Sequence, residues 1–148
     1  MRLTRALATL LAVSVISCGG DSTTAPPRYP ELSGTFQVTA SFTNIPSSQA
    51  STTGTITFQQ PSRNDSTLIG SSGLVVTLLG TGAPLTHITN ARVSSTGVVT
   101  FLVPTNNATA TWQWVGQLSG TAITGQNTLS TPGDSPILGS FTMVKLSP

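Results

Sequence analysis

The sequence predicts an all-β domain over residues 32–148, built as a small antiparallel up-and-down meander barrel of about eight strands. Three observations carry that expectation. Apolar residues recur with period two, and nowhere convincingly at the i, i+3, i+4, i+7 spacing of a helix. β-Branched residues dominate, with abundant Ser, Thr and Gly, while charged residues make up only 7% of the chain. Turn signals fall about every 10 to 15 residues, and short turns favour a meander over the long crossovers of a Greek key. Eight strands in a meander can close on themselves and so remove their exposed edges. An immunoglobulin-like β-sandwich is the alternative with similar strand spacing.

Each strand has its own justification. In Gly34–Phe42 the residues Phe36, Val38, Ala40 and Phe42 share one face, and Thr35, Gln37, Thr39 and Ser41 share the other. Gly54–Phe58 repeats the alternation with Ile56 and Phe58 and is stopped by Gln59-Gln60-Pro61; residues 44–51 form a loop around Pro46. Ser66–Ser71 and Leu74–Leu79 follow, interrupted by Gly70 and Gly73. Leu74–Leu79 is apolar on both faces, which predicts a central, covered strand. Thr86–Val93 and Val98–Val103 read as a hairpin around Ser94-Ser95-Thr96-Gly97, and Pro104-Thr105-Asn106-Asn107 as a turn. Ala108–Leu118 and Thr121–Leu129 form another pair around Ser119-Gly120. After a loop over 130–136, Ile137–Leu146 closes the domain with Phe141 and Met143 on one face.

Ahead of this domain the chain reads as an export signal. Arg2 and Arg5 give a positive start, Ala6–Ile16 is uncharged and largely apolar, and Ser17 supplies a small residue. The apolar segment is shorter than the roughly 20 residues that a membrane-spanning helix needs. Val15-Ile16-Ser17-Cys18 resembles the lipobox of bacterial lipoproteins, in which a small residue precedes an invariant cysteine. That resemblance implies a signal peptide over 1–17, cleavage before Cys18, and a diacylglycerol thioether (with further palmitate-type acylation) on Cys18. An ordinary secreted protein cut nearby is the alternative. Residues 18–31 begin Gly-, Ser-, Thr- and Pro-rich, a composition that cannot bury enough apolar surface to fold, and so form a tether. In the lipoprotein family an Asp after the cysteine commonly retains the product in the inner membrane. Gly19 stands there, which implies the outer membrane where the cell has one.

Removal of the signal changes the electrostatic reading. The sequence pI of about 9.3 suggests a basic protein. Without Arg2 and Arg5, however, four cations (Arg28, Arg63, Arg92, Lys145) balance four carboxylates (Asp21, Glu31, Asp65, Asp134). The cations are scattered in sequence, which argues against nucleic acid as a partner. Cys18 is the sole cysteine, so the domain has no disulfide and no thiolate metal site.

Leu32-Ser33-Gly34-Thr35-Phe36 resembles the opening strand of lipocalin and avidin-like barrels. Trp114-Val115-Gly116, Gly120, Gly125 and Gly139-Ser140-Phe141 resemble their closing hairpins. The resemblance implies a barrel that can hold a cavity and carries over no ligand contacts; those families usually have Trp where Phe36 stands. Among candidate sites, His87 is the single histidine, and the four carboxylates lie where no catalytic register with it is evident. Metal binding lacks a three-ligand set. Trp112 and Trp114 are two apart and share a strand face, so they serve either as core filling or as the apolar floor of a ligand pocket.

The expectation is therefore a lipid-anchored cell-envelope protein with a non-catalytic β domain, without a cofactor, binding a small apolar or amphipathic ligand at Trp112 and Trp114. A structural domain that docks envelope protein partners is the alternative. An internal cavity beside the tryptophans favours the first reading, and a filled interior with an exposed apolar patch favours the second.

Overall fold

The computed structural model describes residues 28–105 and 109–146. It is an all-β meander of nine strands: β1 Gly34–Phe42, β2 Ala50–Gln59, β3 Ile69–Leu78, β4 Thr81–His87, β5 Thr89–Val93, β6 Val98–Pro104, β7 Thr111–Ser119, β8 Ala122–Ser130 and β9 Ile137–Lys145. All ladders are antiparallel, and the sheet order is β4-β3-β2-β1-β9-β8-β7-β6-β5. Each strand pairs with its sequence neighbour except at the β1–β9 ladder, where the chain ends meet, and at the β4/β5 break, which forms the two edges. That order is the up-and-down topology expected from the short turns, and it excludes the immunoglobulin-like sandwich, which needs two facing sheets.

The sheet curls until its edges approach. At one end of the barrel they are tied: Leu68 N–H donates to Ala91 O at 2.9 Å and Val93 N–H to Ser66 O at 2.8 Å, around a bridge between Thr67 and Arg92. The residues just before β3 thus pair with β5. At the other end β4 pairs with β3 alone, and no ladder joins β4 to β6. One end is closed and the other is split.

The ninth strand arises from a kink. The alternation predicts one strand over Thr86–Val93, whereas β4 ends at His87 and β5 starts at Thr89. Ile88 turns inward between them, and Asn90 adopts φ 53°, a left-handed conformation that Asn tolerates better than most residues. Inward residues are consequently spaced by three (Leu85, Ile88, Ala91), which moves the chain from the β3 ladder to the β6 ladder. Strand β4 itself, with Gly82 and Pro84, lacks the pattern of a strand; proline is tolerated because β4 is an edge.

Another expectation is corrected next to it. Leu74–Leu79 is not covered on both faces. Leu74 is fully buried, but Val75 is exposed on the outer face, and Leu79 is 83% exposed in the turn before β4. Leu79 and Gly80 have φ values of 48° and 83°, the two left-handed residues of a type I′ hairpin turn.

The interior is a column of rings. All five Phe and both Trp of the sequence lie on inward positions. Phe36 meets Phe58 edge-on at 5.8 Å, Phe58 meets Phe101 at 5.8 Å, and Phe101 stacks on Trp114 at 5.5 Å. Trp114 adjoins Trp112 at 5.1 Å, and Trp112 stacks on Phe42 at 5.9 Å. Phe141 packs against Trp114 at 4.8 Å. These contacts run from the closed end to the split end, and each ring pair adds about 0.5–1.5 kcal/mol beyond area burial. Room for them comes from glycine. A Cβ on Gly116 would sit 2.7 Å from Phe141 Cζ, and one on Gly125 only 2.1 Å from the carbonyl oxygen of Val115. Among the described residues the buried core runs from Leu32 to Met143.

Candidate functional site

The split end encloses a cavity of about 260 Å³. Its walls come from strand ends on all sides: Phe42 at the end of β1, Val76 on β3, Ala83 and Leu85 on β4, Trp112 at the start of β7, Leu129 on β8 and Ile137 on β9. Ile45 and Thr105 reach it from the loops after β1 and β6. The position follows from the ladder break. β4 is bound only to β3, and the ring column ends at Phe42 and Trp112 instead of filling the top.

The wall is apolar by composition and also by hydrogen bonding. Trp112 carries the single indole donor at the cavity, and that donor is used: Nε1 donates to Asn127 Oδ1 at 3.1 Å inside the barrel. The bond locks the indole against the wall so that it presents its ring, stacked on Phe42, and not its N–H. A polar atom entering the cavity would lose water with almost nothing to replace it, a penalty of roughly 1–3 kcal/mol. The rim continues the character of the wall. Leu79 is 83% exposed at the hairpin tip, and Leu138 is exposed at the start of β9.

The two tryptophans singled out in the sequence occupy different sites. Trp112 borders the cavity. Trp114 lies one layer deeper, fully buried between Phe101 and Phe141, and is not part of the wall. Its Nε1 has no hydrogen-bond partner. Ala110 is half-buried before β7, and Ala108 lies outside the described residues, as does Cys18. Sequence reasoning missed Val76, Ala83 and Leu85, for different reasons: β4 has no alternation to identify it, and Val76 sat in a run that looked covered.

None of the described side chains that line the cavity is a His, Cys, Asp or Glu. His87 is exposed at the end of β4, with Nδ1 3.3 Å from the hydroxyl oxygen of Thr86. Among the described residues no three His, Cys, Asp or Glu side chains gather as a metal ion would require. Glu31 and Asp65 lie at the other end of the barrel. Hydrogen bonds from the side chain and backbone of Ser33 hold the Glu31 carboxyl below its ordinary pKa. The Thr67 backbone N–H, which donates at 2.9 Å, and the Thr67 hydroxyl do the same for Asp65.

Compared with protein-family models, with curated proteins and with solved structures, the chain matches none.

Proposed function

We propose that this protein is a lipid-anchored cell-envelope lipoprotein whose β domain is a non-catalytic binding module for a small apolar ligand. The observation that carries the ligand reading is the cavity at the split end, walled by Phe42, Val76, Leu85, Trp112 and Leu129. Its volume of about 260 Å³ is just under the usual range for ligand pockets, about 300–1,000 Å³. An apolar cavity of about 150 Å³ accepts benzene, so this one suits a two-ring aromatic or a medium-length alkyl chain. The captive Trp112 N–H selects against polar ligands, because the wall offers them little in exchange for water. The anchor reading rests on Val15-Ile16-Ser17-Cys18 and the signal layout before it. The exposed Leu79 and Leu138 favour a second reading, in which the rim docks a protein partner.

Titration with N-phenylnaphthylamine, an apolar dye that brightens in dry surroundings, tests the ligand reading. Ala83→Phe, which fills the mouth from β4, is expected to lower dye affinity at least tenfold, while Leu79→Ala on the rim changes it little. Equal dye binding in Ala83→Phe and the parent would overturn the reading. Cys18→Ser tests the anchor separately: incorporation of radiolabelled palmitate should disappear.

A further inference from the structure

Charges are segregated along the barrel axis although they are scattered in the sequence. Segments 28–33 and 60–68 close the lower end and carry Arg28, Glu31, Arg63 and Asp65. Arg92 lies at the end of β5 and Lys145 at the end of β9, both at that same end. The proximity is also electrostatic: Arg63 and Lys145 help hold Glu31 ionised, and Arg92 does so for Asp65. All four cations of the described residues therefore sit around the closed end, against two carboxylates. The described loops around the mouth carry a single charged side chain, Asp134.

We infer that the closed end is a docking surface for anionic phospholipid headgroups, on which the barrel stands with its mouth directed away from the membrane. Charge complementarity is the first argument. Arg28, Arg63 and Arg92 are exposed, and a guanidinium offers phosphate a planar fork of donors. Two exposed apolar side chains, Ile69 at the start of β3 and Leu146 after β9, border the same end and suit the zone beneath the headgroups. The route of the chain is the second argument. Tyr29 N–H donates to Arg63 O at 2.8 Å and Leu32 N–H to Gln60 Oε1 at 3.0 Å, so the N-terminal segment joins the domain at its cationic end. Nine residues separate Cys18 from Arg28, and the ten Cα–Cα steps reach no more than about 36 Å. An acyl anchor and a basic surface then act on the same side, the two-signal arrangement that makes membrane attachment stable. The surface itself stands independently of what fills the cavity. Combined with the ligand reading, it directs cargo exchange to the aqueous side and not to the anchoring leaflet.

The test uses residues 28–148, which carry all nine strands and the buried core described above without the lipid, in flotation with phosphatidylglycerol and with phosphatidylcholine vesicles. The domain should float with phosphatidylglycerol only and be released by raised salt. Arg92→Gln and Arg63→Gln should each weaken partitioning about fivefold, with melting temperatures confirming that both variants fold. Asp134→Asn at the mouth should leave partitioning unchanged, and inorganic phosphate should not compete. Equal flotation with the two lipids overturns the inference. So does flotation that Leu79→Ala or Leu138→Ala reduces while the arginine variants do not, because the mouth is then the membrane-facing end. Loss of palmitate labelling in Cys18→Ser bears on the anchor alone and leaves this result separate.

Discussion

At the closed end Leu32, Phe36, Phe58, Leu68, Ile88 and Val93 are packed with almost no exposure, and a bridge of backbone hydrogen bonds ties β5 to the chain before β3. At the mouth Phe42, Val76, Leu85 and Trp112 are just as apolar, yet they face a cavity. The apolar character of the interior does not distinguish the two ends; edge pairing does. Where Ser66–Leu68 meets Ala91–Val93, the sheet closes and side chains from opposite walls interdigitate. Where β4 and β6 share no ladder, the same kind of side chain lines a space. Close packing is thus concentrated at one end and open space at the other.

Paired truncations test that division most strongly. Trp114→Ala removes a fully buried ring that three other rings touch, and should destabilise the domain by about 3–5 kcal/mol. Leu85→Ala enlarges a space that already exists, so its loss should be near the low end for such changes, about 2 kcal/mol. Urea denaturation of both variants measures the difference. Equal losses would mean that the mouth is as tightly packed as the interior.

The expected contrast was legible in the sequence only in part. Period-two alternation in Gly34–Phe42, and in the part of Ala108–Leu118 that became β7, announced strands because each has one wet and one dry face. Short turns announced the meander. The split between β4 and β5 was not legible, because it depends on Asn90 adopting a left-handed conformation and on Ile88 pointing inward, neither of which disturbs the local composition. The placement of the glycines was not legible either, because it depends on how closely neighbouring strands approach. Gly34 does begin β1, but Gly54 and Gly139 lie inside β2 and β9, where a Cβ would collide with Gly73 O and Ser41 O on the neighbouring strands. Trp112 and Trp114 could be assigned to one face from spacing alone. Which of them meets a cavity depends on depth along the barrel axis, and that is set by cross-strand register: Trp112 pairs with Leu129 near the mouth, and Trp114 with Asn127 one layer deeper.

Two glycines sharpen the comparison at smaller scale. A Cβ on Gly70 would lie 2.2 Å from Ile88 Cδ1, under the packed closed end. Gly70→Ala should therefore cost about 1–3 kcal/mol as Ile88 is displaced. Gly82 in β4 meets only Val75 Cγ1 at 3.2 Å, on the exposed outer face near the mouth. Gly82→Ala should change stability by no more than about 0.5 kcal/mol, since exposed substitutions away from packed features rarely do more. Thermal denaturation of the two variants should separate them clearly, and a destabilised Gly82→Ala would show β4 to be held as rigidly as the closed seam.

The smallest effect concerns acid. Asp65 accepts the Thr67 N–H at 2.9 Å in the segment that leads into the Ser66–Leu68 bridge, and its pKa is lowered by that bond first, with the Thr67 hydroxyl and Arg92 adding to it. A carboxyl whose folded pKa lies below its unfolded value stabilises the fold above the unfolded pKa, about 3.9 for Asp, and loses that contribution as pH falls through the folded value. The side chain is exposed, so water and salt screen the gain and it stays slight. Asp65→Asn should remove this increment: the parent loses a little stability between about pH 4 and the lower folded pKa, and the variant loses less there. Because Asp65 sits beside the closed seam, hydrogen exchange at Leu68 and Val93 should register the acid loosening, while Leu85 at the mouth should not respond. Equal loosening at both ends would mean that acid acts on the barrel as a whole, with no separate role for the seam.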